Sequence, residues 1–327
     1  MGGLGVADLD RRSPATPGTI YLWFSMTKIV TATAVLQLAD RGRLSLDDPV
    51  VGHCPRFGSL RPAGRAARVT VRHLLSHSSG LANPIPVRWI HPADRSGPDP
   101  ATFVSDLLAK HAMLGFDPRA KARYSNLGFL VLGQVIEAAA GCPFQDHVRE
   151  QVLQPLGMAH TGFAYPNEAA SVATGYQRRR SLMAPLLRRL LPPGILGPNQ
   201  DGYVSFHRFY VDGPAYGGLV GPVKDAARFL QMHLRDGELE GTRILTAESA
   251  VAMRQIRTPG RRFDLGLGWF RPVKQRRTTP AFVQHRGDGG AFATDMRIYP
   301  DAGLGVVMMG NATAYDRDQI ANLLANR

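Results

Sequence analysis

Hydrophobic and small residues recur at helical spacing over much of the first two thirds of the chain. The run from 27 to 39 places them three and four positions apart and is followed by Gly42, which predicts a helix that begins just after Ser25. Segment 127–140 has the same spacing and ends before Gly141, a residue typical of helix ends. Three further helices are predicted over residues 70–81, 102–113 and 224–234.

The last third of the chain changes to short β-type runs separated by glycine, aspartate and proline. The sequence PDAG at 300–303 predicts a hairpin turn between two of these runs, and a final helix is expected over 318–325. Segments 83–100 and 178–211 show neither the helical spacing nor the alternation of a strand and are predicted to be irregular. Strands are predicted over residues 266–272, 281–285, 294–300 and 305–311.

The order of these elements predicts the fold class. One helix near the start, helices in the middle and strands at the end favour an α/β (α+β) architecture, in which an antiparallel sheet flanked by helices carries an all-helical insert. We assign residues 1–60 and 212–327 to the sheet domain and residues 61–211 to a mainly helical domain. The active site is then expected in the cleft between the two domains.

Composition limits the classes of protein that this chain can be. With 327 residues, 44% of them hydrophobic, the chain can bury a substantial core, and its apolar stretches are too short to span a membrane. The first 24 residues contain two aspartates and two arginines but no apolar signal segment, so we expect a cytoplasmic location. Two cysteines, Cys54 and Cys142, provide neither a disulfide framework nor the spacing of a zinc site.

The formal net charge of +13 comes almost wholly from arginine, since the chain has five lysines. Arginines alternate with leucines in segment 178–191, RRRSLMAPLLRRLL, which is typical of membrane-surface segments and also of a solvated loop with an apolar underside. This high positive charge is also compatible with a non-catalytic protein that binds a polyanion or a membrane surface. The catalytic pattern described next argues against that reading, so no nucleic-acid partner is expected. The sequence leaves the oligomeric state open.

Ser25 and Lys28 are the first catalytic candidates. They lie three residues apart at a predicted helix start, so both side chains project from one face and the amine can reach the hydroxyl. A serine hydroxyl becomes a good nucleophile when a base removes its proton, and a lysine can be that base when burial lowers its pKa. Fourteen serines and five lysines give about 0.2 chance matches to this spacing, so the motif depends on its companions.

Two further short motifs complete the candidate site. Tyr124 and Asn126 lie in YSN ahead of a predicted helix, where a tyrosine can relay a proton and an asparagine can bind a substrate amide or hold the lysine. An ordinary helix N-cap and a packed ring are the alternative. His285 and Gly287 lie in HRG at the end of a predicted strand, which can offer backbone N–H groups to an oxyanion. A second His-x-Gly motif, at His160, is rejected because it follows an apparent helix end.

These motifs and the sequence around them resemble the serine β-lactamase, penicillin-binding protein and family VIII carboxylesterase group, whose signature is Ser-x-x-Lys. The resemblance implies a β-lactamase/transpeptidase-like fold. It continues in family order through most of the chain, in SMTKIVTATAVLQLADRGRLSLDDPV at 25–50, TVRHLLSHSSGL at 70–81, YSNLGFLVLGQVIE at 124–137, PLGMAHTGF at 155–163, AYGGLVGPVKDAARF at 215–229 and HRGDGG through MMGN at 285–311.

The resemblance implies a role for each matching residue. Ser25 would be the acylated nucleophile, Lys28 its activator and Tyr124 the proton shuttle. Asn126 would line the substrate side of the site. Tyr216, in AYGG, would form a wall of the pocket, although a packed aromatic ring is the alternative. No cofactor and no metal are expected.

The third motif supplies the expected oxyanion hole and departs from the family in one residue. The resemblance implies that the backbone N–H groups of Ser25 and of Asp288, which follows Gly287, bind the oxyanion. His285 takes the place of the lysine of typical β-lactamases, and a mostly neutral imidazole anchors a substrate carboxylate less well than an ammonium. Arg286 could compensate. The family usually has more than 24 residues before its serine, so we also expect an incomplete sheet edge.

The leading functional hypothesis is a carboxylesterase that acts on small esters through an acyl-enzyme on Ser25. The histidine at 285 and the lack of an evident export signal favour esters over cell-wall substrates. The alternative on the same scaffold is a β-lactamase, D-alanyl carboxypeptidase or D-aminopeptidase. The expected partner is therefore a small ester or a β-lactam-like molecule.

Overall fold

The secondary structure is described from a computed structural model, which covers residues 1–166, 172–180, 183–275 and 280–325. The α-helices are α1 (Thr27–Asp40), α2 (Val50–His53), α3 (Ala63–Ala66), α4 (Val71–Leu75), α5 (Pro100–Lys110), α6 (Asn126–Ala140), α7 (Phe144–Val148), α8 (Met183–Leu190), α9 (Val223–Leu234), α10 (Ala247–Arg254) and α11 (Arg317–Ala325). The strands are β1 (Val6–Asp8), β2 (Ser13–Pro14), β3 (Ile20–Leu22), β4 (Ile90–Pro92), β5 (Gly175–Arg178), β6 (Leu196–Gln200), β7 (Tyr203–Phe206), β8 (Phe209–Val211), β9 (Val220–Pro222), β10 (Glu238–Leu239), β11 (Thr242–Arg243), β12 (Phe263–Leu265), β13 (Phe270–Pro272), β14 (Val283–Asp288), β15 (Ala293–Tyr299) and β16 (Leu304–Gly310).

The β-type runs at the end of the chain form one antiparallel sheet in the order β12-β13-β14-β15-β16. Its β15–β16 connection contains a 3₁₀ turn at Pro300–Ala302 and then Gly303 at φ +58°, a backbone conformation that glycine adopts readily. The PDAG hairpin is therefore confirmed. Helices α1, α9 and α11 pack against the sheet, as the predicted α+β class requires, and the fold class is confirmed. Strand β14 runs on through the HRG motif instead of ending before it.

Helix α1 lies at the centre of the molecule, and every residue from Thr27 to Leu38 is buried. A helix enclosed on all sides must satisfy its polar side chains internally. The hydroxyl of Thr31 donates to the carbonyl of Ala215 at 2.7 Å, and the N–H of Leu219 donates to the hydroxyl of Thr27 at 3.2 Å. Segment 215–219 is thereby fixed along the first turns of α1.

Helix α6 is bounded as its sequence predicts. The Ser125 side chain caps its start by accepting from the N–H of Gly128 at 3.1 Å, and Gly141 ends it in the left-handed conformation at φ +74°. Helix α4 is shorter than the 70–81 prediction and stops at Leu75. Among the described helices, no single one is long and apolar enough to cross a membrane, and α6 qualifies only with Phe144–Leu153, across a bend of 78°.

Segments 83–100 and 178–211 are more regular than predicted. Strand β4 lies in the first of them, and α8, β6, β7 and β8 lie in the second. Strand β7 pairs with β5 and β6, and β8 pairs with β4 from 121 residues earlier in the chain, in a register that sets Ile90 opposite Val211. Strands β4 and β8 pair with a partner far away in the sequence, which satisfies their backbone groups without a local period, so the pattern did not reveal them. Residues 61–211 therefore contain strands as well as helices.

Candidate active site

Ser25 lies in a 3₁₀ turn, Phe24–Met26, that joins β3 directly to α1. Strand β3 pairs antiparallel with β9. The pairing continues at Trp23, whose backbone N–H donates to Leu219 O at 2.8 Å and whose indole N–H donates to Gly221 O at 3.1 Å. These contacts hold the turn in place and leave the Ser25 side chain only partly covered, at the edge of a cavity.

The residue before Ser25 has an uncommon backbone conformation. Phe24 adopts φ +47°, which costs a non-glycine residue of the order of 1–3 kcal/mol and is frequent at functional sites. Its ring packs against Phe209 at 6.2 Å and Phe292 at 6.4 Å between ring centroids. A Cβ added at Gly289 would overlap the Phe24 ring, so glycine is required there. Packing on both sides of the ring thus stabilises the turn that presents Ser25.

Lys28 lies in the first turn of α1 with its amine beside the serine. Its Nζ is 3.0 Å from Ser25 Oγ and donates to the carbonyl oxygen of Tyr216 at 2.7 Å. The side chain is completely buried, and this burial lowers the pKa of Lys28 well below its ordinary value. The rings of Tyr124, Phe129 and Tyr216 lie 5.0–5.6 Å from Nζ. Burial therefore favours the neutral amine, whose lone pair is available to the Ser25 proton.

Tyr124 precedes the α6 cap and lies on the other side of Ser25. Burial raises the pKa of Tyr124 well above its ordinary value, and a hydrogen bond with the Ser25 side chain offsets only part of that shift. The phenol therefore stays protonated at neutral pH. Of the two groups beside the serine, Lys28 is the one that can serve as base, and Tyr124 can pass a proton or donate a hydrogen bond.

His285 lies on β14 and is completely buried. Its Nδ1–H donates to the carbonyl of Gly268 at 2.6 Å, which leaves Nε2 as an acceptor 3.5 Å from the Tyr124 hydroxyl. Burial, with a smaller contribution from the nearby Lys28 amine, lowers the pKa of His285 to about 3. The imidazole is therefore neutral and provides no positive charge for a substrate carboxylate.

Arg286 does not supply the missing charge, which corrects the expectation that it could compensate. Its guanidinium is 3.2 Å from Asp295 and forms a short ion pair with Asp318 of α11. Asp295 is completely buried and also binds Arg297 at 2.7 Å. These carboxylates hold the Arg286 guanidinium on the sheet.

Gly287 and Asp288 bring β14 against the serine turn. A Cβ added at Gly287 would overlap the carbonyl oxygen of Trp23 and the hydroxyl of Thr294, so no larger residue fits. Asp288 lines the same cavity as Ser25, and its carboxylate pairs with Arg317 at 2.6 Å. The strand thus places the backbone of Asp288 beside the serine, and its role in an oxyanion hole stays a prediction.

Asn126 and Tyr216 lie in the cavity wall. Asn126 begins α6, but the cap is Ser125, and the side-chain oxygen of Asn126 is buried without a hydrogen-bond partner among the described residues. An unpaired buried amide oxygen can accept from a substrate. The Tyr216 ring packs edge-on against Trp89, with centroids 5.6 Å apart, and its carbonyl holds Lys28. Both residues are therefore placed to contact a ligand.

His77 also contacts Tyr124, which the sequence pattern does not indicate. Its ring stacks on Tyr124 with centroids 4.5 Å apart, and its Nδ1 accepts from the N–H of Ser125 at 3.1 Å. Burial lowers the pKa of His77 well below its ordinary value. The only sequence feature around His77 is SHSS at 76–79, which is typical of a helix end. It does not indicate the contact with Tyr124, which lies 47 residues away in the sequence.

The cavity in front of Ser25 has a volume of about 1400 Å³ and a largely apolar lining. Leu187 of α8 and Leu191 contribute to it, so part of segment 178–191 faces the cavity, and contact of this segment with a membrane stays a prediction. Among the described residues, no group of three histidine, cysteine or acidic side chains could hold a metal ion. The rejected His160 lines a different cavity, beside Lys224.

Known proteins share this arrangement of elements. The model of the Beta-lactamase family matches residues 1–326. Penicillin-binding protein 4 of Amycolatopsis lactamdurans is 30% identical, over 98% of this chain and 79% of that protein. Esterase EstB of Burkholderia gladioli is 31% identical, over 95% of this chain and 82% of that protein. The octameric penicillin-binding protein homologue of Pyrococcus abyssi superimposes with a TM-score of 0.75 at 25% identity, over 99% of this chain and 70% of that structure.

Proposed function

Because the chain belongs to the Beta-lactamase family of serine hydrolases, we propose that it is a carboxylesterase that hydrolyses small esters through an acyl-enzyme on Ser25. The observation that carries the proposal is the 3.0 Å contact between Ser25 Oγ and the fully buried Nζ of Lys28. A buried amine with a lowered pKa can take the serine proton at neutral pH, which an exposed lysine cannot do.

The reaction divides into two balanced steps. Ser25 Oγ bonds to the ester carbonyl carbon while its proton passes to Lys28, and the carbonyl oxygen becomes an oxyanion near the N–H groups of Ser25 and Asp288. The intermediate collapses, the bond to the alcohol oxygen breaks, and the alcohol leaves with the proton, relayed through Tyr124. Water then attacks the acyl-enzyme by the reverse proton path and releases the carboxylic acid and free Ser25.

The environment of the third motif supports esters over β-lactams. A β-lactam carries a carboxylate close to its scissile amide and benefits from a nearby cation. His285 is neutral, since burial lowers its pKa to about 3, and Arg286 is bound to Asp295 and Asp318. A neutral ester needs no such cation. The chain is as similar to Penicillin-binding protein 4 as to EstB. β-Lactams and D-peptides are therefore the second candidate class of substrate.

A substrate panel tests the proposal. Initial rates are measured on 4-nitrophenyl acetate, butyrate and hexanoate and on nitrocefin, with the Ser25→Ala variant as the matched control. We expect ester hydrolysis that Ser25→Ala abolishes, and slower nitrocefin turnover. Faster hydrolysis of nitrocefin than of every ester would assign the second class instead. The alternative of a non-catalytic basic binding protein would be supported by three results together. These are no hydrolysis of any substrate, no labelling of Ser25 by a fluorophosphonate, and salt-sensitive binding to anionic lipid.

A further inference from the structure

The cavity in front of Ser25 carries positive charge that its own lining does not balance. The charged residues that line it are Arg123, Arg261, Arg262, Arg286 and Asp288. Arg286 and Asp288 are each paired with the partners described above. In the described part of the chain, no carboxylate forms an ion pair with Arg123, Arg261 or Arg262. Three like charges therefore face one cavity.

Two separate segments carry these three arginines, and their main chains approach each other. Gly260, just before Arg261 and Arg262, approaches residue 122 so closely that a Cβ added to it would lie 3.5 Å from the Cβ of Ala122. Arg123 is the next residue. The main chain at Arg123 and at Arg262 is fixed by backbone hydrogen bonds of 2.8 and 3.0 Å. The Arg123 guanidinium lies beside Gly115, where an added Cβ would be 3.0 Å from Nη1. Three like charges that line one cavity create a positive potential that attracts an anionic group.

An apolar surface lies between the catalytic residues and two of these arginines, Arg261 and Arg262. The His285 ring packs on Phe270 at 4.8 Å and Phe270 packs on Phe263 at 4.6 Å between centroids, and Phe263 directly follows Arg262. A molecule that reaches from Ser25 to these two arginines must therefore cross two aromatic rings. Apolar atoms between its ester and its charged end would fit that path.

We propose that Arg123, Arg261 and Arg262 form an anion subsite that selects esters with a carboxylate at the far end of an apolar spacer. This inference rests on the proposed esterase function and narrows its substrate class. The subsite differs from a β-lactam carboxylate site because Arg261 and Arg262 lie beyond Phe263 and not beside His285. Guanidinium groups pair with carboxylates in a bidentate geometry, and three exposed pairs together give a preference of about tenfold.

The test compares anionic and neutral esters of equal length. In the acyl arm, kcat/KM is measured for 4-nitrophenyl hydrogen suberate and for 4-nitrophenyl methyl suberate. In the alcohol arm, 8-acetoxyoctanoate is compared with its methyl ester. We expect the anionic member to be preferred about tenfold in at least one arm, mainly through KM, and the preference to shrink in 0.5 M NaCl, where screening is strong.

Variants assign the preference to the three arginines. Arg261→Gln/Arg262→Gln and Arg123→Gln should each lower the anionic-to-neutral ratio, whereas Arg43→Gln, at an exposed arginine after α1, removes the same charge and should leave the ratio unchanged. Equal kcat/KM for anionic and neutral esters in both arms would overturn the proposal. So would an equal loss of preference in Arg43→Gln, because the effect would then come from net charge.

A binding measurement separates failure of the subsite from failure of the esterase assignment. Ser25→Ala protein is titrated with monomethyl suberate and with dimethyl suberate by calorimetry. Preferential binding of the monoanion that is lost in Arg261→Gln/Arg262→Gln supports the subsite even if no ester is turned over. Ester turnover without any preference for the monoanion, in rate or in binding, would leave the esterase assignment intact and contradict the subsite.

Discussion

The role of Lys28 as a base can be separated from its role as a charge by two substitutions. Lys28→Arg keeps a cation that cannot give up its proton, and Lys28→Met removes the amine while filling a similar volume. Nζ contacts two oxygens, Ser25 Oγ at 3.0 Å and Tyr216 O at 2.7 Å, and is shielded completely from water. Because the same proton transfer is lost in both variants, each should lose about 10²- to 10⁴-fold in kcat/KM, or about 3 to 5 kcal/mol of transition-state stabilisation.

The pH dependence gives an independent reading of the same group. Burial lowers the pKa of Lys28 and raises the pKa of Tyr124, so the neutral amine is available well below pH 10.5 and the phenolate is absent until strongly alkaline pH. We expect kcat/KM of the unmodified protein for 4-nitrophenyl butyrate to reach its plateau well below pH 10.5, the ordinary pKa of a lysine. Melting temperatures check that each variant is folded. Two results would refute Lys28 as the base. One is a Lys28→Arg variant that retains most of the activity, and the other is a rate that rises tenfold per pH unit through pH 10.

Three further changes test other parts of the structure. Gly287→Ala should lower kcat/KM more than about a hundredfold, because the added Cβ would displace β14 from the Trp23 carbonyl. The control Gly52→Ala, where space is open, should have no effect. Equal activities of the two variants would contradict the close approach of β14 to Trp23. His285→Lys should raise the ratio of nitrocefin to ester hydrolysis about tenfold, since it adds a carboxylate-binding ammonium, and an unchanged ratio would show that this position does not govern substrate choice. His233 lies away from the site, its pKa is lowered by burial to about 3, and the folded state therefore binds fewer protons than the unfolded state between about pH 6.5 and pH 3. Stability should accordingly fall as pH decreases through that window, by about 2 kcal/mol at pH 5 for this group, and urea unfolding of His233→Gln should show a weaker decrease.

A local sequence pattern is sufficient to predict an element when the residues that it contacts lie nearby in the sequence. The strands of the terminal sheet follow one another through short connections, so alternation and turn residues such as the PDAG sequence locate them. The proximity of Ser25 and Lys28 follows from helical spacing alone, because residues three apart share a face. The amino-acid sequence is therefore enough to predict these parts of the fold and of the site.

Distant contacts account for what the sequence does not reveal. Arg286 was considered as a substitute for the absent lysine charge, but its guanidinium pairs with Asp318 of the terminal helix α11, 32 residues away. His77 stacks on Tyr124 across 47 residues, and no local pattern marks that contact. Strand β4, which contains a proline, pairs with β8 in a register that sets Ile90 opposite Val211, 121 residues away. In each case a tertiary contact decides the outcome, and a single sequence carries little record of it.

The most direct test of the central claim is to identify the residue that becomes acylated. The protein is treated with a fluorophosphonate, its intact mass is measured, and the modified peptide is sequenced by mass spectrometry. We expect one adduct, located on Ser25, and no adduct in Ser25→Ala or in unfolded protein. An adduct on another serine, or ester hydrolysis that persists in Ser25→Ala, would contradict the assignment of Ser25 as the nucleophile.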